Sequence, residues 1–166
     1  GVWEHKVGEG WGQFTDLFAT SNGVIYAVKS DGNLAWYKHN GYNEGSMRWE
    51  GGLEHIVGNG GRTQFTKLFA GPNGIIYGVK PNGDLVWYKH TGFNDGSVRW
   101  EGGGVIGNGW NQFTHLFATN NGIIYGIKQN GDLVWYKHVG YNDGSARWEG
   151  GGNVGSGWQI YKNILS

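Results

Sequence analysis

The sequence predicts an all-β protein made of repeated four-stranded antiparallel units. Three observations predict it: a unit that recurs three times, Asn-Gly and Asp-Gly pairs at fixed places in each copy, and short apolar blocks between those pairs. The copies open GQFTDLFATSNGVIYAVK at Gly12, TQFTKLFAGPNGIIYGVK at Thr63 and NQFTHLFATNNGIIYGIK at Asn111. Phe14, Phe65 and Phe113 correspond, as do Trp36, Trp87 and Trp135, and then Trp49, Trp100 and Trp148, so the offsets are 51 and 48 residues.

The elements follow in order. QFTDLFA and its copies alternate at period two and carry bulk on both faces, as a strand covered on both sides does. Asn22-Gly23, Asn73-Gly74 and Asn121-Gly122 then signal tight turns, because both residues tolerate the positive φ of a two-residue hairpin. A strand of about six residues, GVIYAVK and its copies, is bracketed by a second set of turns at Asp31-Gly32, Asn82-Gly83 and Asn130-Gly131, and is too short for a helix. NLAWYKH is the third strand, followed by a polar loop (GYNEGS, GFNDGS, GYNDGS). SMRWEGG and its copies complete the unit as a half-exposed outer strand. Four strands in about 48 residues is the size of one propeller blade. A β-propeller of four-stranded antiparallel blades is therefore expected. The alternative, a β-trefoil, explains three copies but leaves the fragments at both ends surplus. Residues 1–10 read as a partial unit (an outer strand), 11–61 as the first blade, 62–109 as the second, 110–157 as the third and 158–166 as the start of a fourth, all in a single repeat domain. Trp3 stands for Trp49, Trp158 for Trp110 and Tyr161 for Phe113.

Composition excludes other classes. The chain has 166 residues with 34 Gly, 10 Trp, 9 Tyr, 7 Phe and no Cys. Gly lacks the triplet period of collagen, and dense aromatic and β-branched blocks exclude disorder. No disulfide, thiolate metal site or thiol nucleophile is available. Lys and Arg total 13 against 13 Asp and Glu, so no basic field exists for nucleic acid. Gly, Lys, Asn or Asp interrupts every apolar run, and membrane insertion is not expected. A signal peptide is not expected from the first residues, which show no basic and apolar segment.

GWNQFTHLF, NNGIIYGIK, DLVWYKH and NDGSARWEGGGNVGSGW resemble, in order and spacing, the blades of the tachylectin-type β-propeller lectins. The resemblance covers essentially the whole chain. It implies a multivalent lectin that binds N-acetylated sugars, GlcNAc or GalNAc, with about one shallow site per blade between neighbours, acting outside the cell or at its surface. The sequence departs from the family pattern twice. Only three units are complete where the family closes a ring within one chain. In addition, Gly61-Arg62-Thr63 stands where the other units have Trp11-Gly12 and Trp110-Asn111.

A sugar needs a flat apolar surface for its C–H face and directional polar groups for its hydroxyls. Both recur in every unit only at the polar loop and outer strand. The candidate ligand-binding residues are Tyr42, Asn43, Glu44 and Trp49; Phe93, Asn94, Asp95 and Trp100; and Tyr141, Asn142, Asp143 and Trp148, with Asn108 and Trp110 adding a wall from the neighbouring blade. Trp36, Trp87 and Trp135 read as core. The recurrent His39, His90 and His138 read as solvated or hydrogen-bonded strand-end residues, since metal ligands must converge. Lys38, Arg48, Glu50 and their copies read as cross-strand charge pairs. Catalysis needs one asymmetric constellation, whereas nearly every polar group here appears three times; no enzyme, metal or cofactor is expected. Unpaired strand edges on an incomplete ring predict a homo-oligomer that closes the propeller. The alternative function is a non-catalytic propeller scaffold for protein–protein interaction.

Overall fold

In a computed structural model that describes residues 4–160, each unit folds back on itself three times and forms a sheet of its own. The first sheet runs β1 (Asp16–Ala19), β2 (Val24–Val28), β3 (Leu34–His39), β4 (Trp49–Gly58). The second runs β5 (Lys67–Ala70), β6 (Ile75–Val79), β7 (Leu85–His90), β8 (Trp100–Gly107), and the third β9 (Phe113–Ala118), β10 (Ile123–Lys128), β11 (Leu133–His138), β12 (Trp148–Gly155). In all three, strands pair antiparallel in chain order. Among the described residues no strand pairs outside its own unit, so the trefoil alternative falls and the propeller reading stands. β1 packs against β5 and β5 against β9, which makes these the inner strands and leaves β4, β8 and β12 at the rim. The three blades do not close a circle. The residues read as outlying copies at Trp3 and Tyr161 lie outside the described residues.

Turn chemistry explains the meander. Asn22 and Asn73 hold φ of 64° and 56°, followed by Gly23 at 76° and Gly74 at 81°. The third turn departs from expectation, because only Gly122 is left-handed there and Asn121 is not. Thr20 Oγ1 and Ser21 Oγ of the first blade accept the N–H groups of Gly74 and Asn73 at 2.8 and 2.9 Å; the second blade has Gly71 and Pro72 at those positions, so the third turn receives no such bonds. In the second set of turns only the glycine takes positive φ. The preceding Asx side chain accepts the backbone N–H two residues on, as Asp31 does from Asn33 at 2.9 Å, a standard Asx-turn.

The outer strand also differs from the sequence expectation. It starts at the Trp rather than at Ser46 and its copies, and β4 runs on to Gly58. Register shifts break its pairing with the third strand in all three blades. Left-handed glycines such as Gly51, Gly102 and Gly150 supply them, as bulges require.

The core lies between blades rather than within them. One cluster joins Val24, Tyr26 and Trp36 of the first blade to Ile76 of the second. The other joins Tyr77, Leu85 and Trp87 of the second blade to Phe113, Leu116 and Ile124 of the third. Burial of apolar area against the next blade, at roughly 25 cal/mol per Å², therefore holds the assembly together. Trp36 and Trp87 are 1% and 3% exposed, and the equivalent Trp135, on the open face of the third blade, is only half-buried.

Candidate functional site

Each internal blade boundary is built by the same residues. From the third strand of one blade, Trp36 and Trp87 donate their indole N–H to Phe93 O and Tyr141 O in the loop of the next, at 2.8 and 2.9 Å. Deeper in, the Tyr26 hydroxyl meets His90 Nδ1 at 2.6 Å and the Tyr77 hydroxyl meets His138 Nδ1 at 2.8 Å. Nε2 of these histidines lies 2.8 Å from the Ser97 and Ser145 carbonyls. A carbonyl only accepts, so Nε2 carries the proton and Nδ1 accepts from tyrosine. Burial pushes both histidines below their ordinary pKa, against the opposing pull of the serine carbonyls. Burial also drives the Tyr26 and Tyr77 phenols well above theirs. These are neutral, fully buried hydrogen-bonding pairs, so of the two readings of His90 and His138, solvated or hydrogen-bonded, the hydrogen-bonded one holds. One His and two Tyr recur in every unit, a signal that does not mark which Tyr joins the pair.

Toward the rim, Trp49, Trp100 and Trp148 donate to Val7 O, Val57 O and Ile106 O at 2.7, 2.8 and 2.8 Å. Each acceptor belongs to the segment that precedes the blade. Each of these rings stacks on the histidine of its own blade, at 4.5 Å on His39 and 4.6 Å on His90 and His138. All three remain half-exposed. Trp110 is buried, with its ring 4.7 Å from Tyr136 and 5.4 Å from Trp148. Trp11 repeats the arrangement against Tyr37 and Trp49 at 4.4 and 5.4 Å. The structure thus brings together Trp110 and Trp148; Asn108 precedes them on an exposed turn.

The loop residues divide by role. Asn43, Asn94 and Asn142 are exposed, and Tyr42 is 48% exposed. Phe93 and Tyr141 are half-buried at the boundary where their carbonyls receive the indoles. Asn94 is engaged across the first boundary, with Oδ1 3.0 Å from Asn22 Nδ2 and its carbonyl 3.0 Å from Lys38 Nζ. The acids hold their own loops. Asp95 and Asp143 accept the backbone N–H of Ser97 and Ser145 at 2.9 Å and pair with Arg99 and Arg147 at 3.3 and 3.4 Å. Glu44 pairs with Arg48 and accepts from the Ser46 hydroxyl at 2.9 Å. The serine N–H bonds, chiefly, hold the Asp95 and Asp143 carboxyls below the usual range, and the Arg48 hydrogen bond does so for Glu44. Lys38 and Glu50 are register mates, as expected of a cross-strand pair. Arg48, Arg99 and Arg147, however, each pair with the loop acid four residues before them.

Four-stranded blades with the same tryptophan, tyrosine and histidine contacts at both internal boundaries define a propeller-type repeat protein. The chain belongs to the Tachylectin family, whose sequence profile matches residues 3–163. This is a non-enzymatic lectin family, and membership suggests a carbohydrate-binding role. A solved structure reported under the words "The de novo evolutionary emergence of a symmetrical protein is shaped by folding constraints" is similar in fold. It has a TM-score of 0.60 and 22% identity, over 93% of this chain and 63% of that one. The chain therefore spans under two thirds of that neighbour's length. No curated protein matches the chain.

Proposed function

We propose that the protein is a multivalent, non-catalytic lectin for N-acetylated sugars, GlcNAc or GalNAc, with one shallow site at each blade boundary. The observation that carries this reading is the repeated pairing of a half-exposed Trp, fixed by an indole hydrogen bond and a histidine stack, with an exposed asparagine loop. A pinned aromatic face costs little rotamer entropy when a sugar C–H face settles on it. The sugar hydroxyls and acetamide are then read by Asn43, Asn94 or Asn142 and by loop backbone amides. Glu44, Asp95 and Asp143 contribute by fixing loop shape. A glycan array inhibited by free GlcNAc or GalNAc tests the assignment. Absence of binding to any glycan at millimolar sugar defeats it, and retained binding in the Asn43→Ala, Asn94→Ala, Asn142→Ala triple variant moves the site elsewhere.

The reading includes assembly of several copies into a closed ring. Its support is a set of unmatched groups on the two open faces. On the third blade, the Trp135 indole N–H and the Tyr125 hydroxyl, equivalents of Trp87 and Tyr77, have no hydrogen-bond partner among the described residues. On the first blade, His39 bonds through Nε2 to Ser46 O at 2.6 Å and its Nδ1 meets no tyrosine. These are the two halves of a third boundary, matched head to tail. Light scattering on a sizing column tests it, and a strict 18.3 kDa species at micromolar concentration refutes it.

A further inference from the structure

The second unit lacks the tryptophan that the other units place at the start of the blade, and its cage is preserved without it. Gly61 N–H donates to Gly32 O at 3.0 Å, just as Trp110 N–H donates to Gly83 O at 2.9 Å and Trp158 N–H to Gly131 O at 3.0 Å. Gly61 therefore occupies the tryptophan's backbone position. The groups that surround the Trp110 ring have their equivalents here, and at the same spacing. Phe65 lies 5.9 Å from Tyr88, as Phe113 does from Tyr136, and Tyr88 lies 6.3 Å from Trp100, against 6.2 Å for Tyr136 and Trp148. Between them is a cavity of about 280 Å³, floored by Leu68 and Ile76, with Asn59, Gln64 and Glu101 among its lining residues.

The mouth also differs from the other units. Gln13 and Gln112 donate to the glycine carbonyl three residues before them, at 2.8 and 2.9 Å. The inserted residue lengthens the turn here, and Thr63 Oγ1 takes that carbonyl at 3.2 Å. Gln64 and Glu101 are left with no side-chain hydrogen bond among the described residues.

We infer that this slot binds one small planar aromatic molecule of indole type, with its ring between Tyr88, Trp100 and Phe65 and its ring N–H toward Gly58, since the equivalent indoles Trp11, Trp110 and Trp158 turn theirs toward Gly8, Gly107 and Gly155. The occupant is read from the equivalent cage of the third blade, which holds an indole against the same three ring types. A sugar is the poorer fit. Asn59, Gln64 and Glu101 could meet the hydroxyls on one edge of a pyranose, but those on the edge toward Leu68 and Ile76 would have no partner, and a buried unpaired polar group is costly.

The probe is 5-fluoroindole, followed by fluorine NMR on the full chain. Saturable binding at one site per chain is expected, with Kd at or below about 1 mM, the range open to a ligand of this size. Gly61→Trp fills the slot from within; a Cβ there meets only ordinary contacts, the nearest at 3.4 Å. That variant is expected to weaken binding at least ~10-fold, the equivalent of about 1.4 kcal/mol. Should it fail to fold, the unmodified chain still decides the matter through ligand contacts. Nuclear Overhauser effects to the Leu68 and Ile76 methyls place the probe in the slot, and effects confined to Leu17 and Leu116 at the central opening overturn the assignment. No binding up to about 10 mM, or unchanged binding in Gly61→Trp, overturns it as well. Displacement by GlcNAc reassigns the slot to sugar and equally defeats the proposal. Failure of the probe leaves the lectin reading untouched, because the glycan array measures that separately.

Discussion

Two buried hydrogen-bonded pairs, Tyr26 with His90 and Tyr77 with His138, tie each blade to the next across 64 and 61 residues of chain. Removing the Tyr26 hydroxyl leaves His90 Nδ1 buried without a donor, a penalty of about 1–3 kcal/mol. Tyr26→Phe should lose that much in urea unfolding, whereas Tyr125→Phe, whose hydroxyl has no hydrogen-bond partner among the described residues, should change a single chain little. The same pairs set a pH dependence. Both histidines have folded pKa values below the ordinary 6.5. As pH falls below 6.5 the unfolded chain takes up their protons first, so stability present at neutral pH is lost as pH falls through the lowered folded values. Protonation also places a hydrogen on Nδ1, where the tyrosine hydroxyl donates. Unfolding midpoints from pH 7.5 to 5 should decline, and the His90→Gln, His138→Gln double variant should flatten that limb. The loop carboxylates titrate below the histidine window, since their pKa values are held under the ordinary 3.8 and 4.5.

Strand and turn positions that look equivalent in sequence are not equivalent in packing. Gly126 sits in β10 where the first blade has Ala27 in β2. A Cβ built on Gly126 would come 2.6 Å from the ring of Phe113, which is buried, while Phe14, its counterpart in the first blade, is only half-buried. Gly126→Ala should therefore cost about 1–3 kcal/mol by overpacking, measured by thermal or chemical denaturation. The hairpin turns separate in the same way. Asn22 is left-handed and bonds Asn94 across the boundary, so Asn22→Ala combines about 1 kcal/mol of backbone strain with the lost bond. Asn121→Ala meets no such strain and should stay within about 0.5 kcal/mol of the parent.

At the scale of the whole molecule, stability is shared between neighbours, as in other repeat proteins. Two boundaries are satisfied within the chain, while the half-buried Trp135 and Tyr125 and the unmatched His39 mark a third that a second copy completes in the proposed ring. Tyr125→Phe should leave the single chain folded and shift light scattering toward smaller species. If several boundary clefts bind sugar together, immobilised glycan should bind about 10² to 10⁴ more tightly than the free sugar in solution. Disrupting the ring should remove that gain and leave the affinity for monovalent sugar unchanged.

The repeat, the strand order and the meander were legible because they rest on local interactions: Asn-Gly pairs, two-residue alternation and chain reversal every few residues. The candidate tryptophans and asparagines were legible as types that recur together, and so was the departure at Gly61. Contacts between blades were not legible, because the angle of one sheet to the next decides which side chains meet. Trp36 reaches a loop carbonyl 57 residues on, and nothing local marks that pairing. Nor was it legible that the candidate acids bond the serines and arginines of their own loops, Glu44 through the Ser46 hydroxyl and Asp95 and Asp143 through serine N–H groups. The sequence by itself determined a set of like blades; the tertiary structure decided that their core is shared between them, since each sheet is apolar on both faces and can cover those faces only with a neighbour.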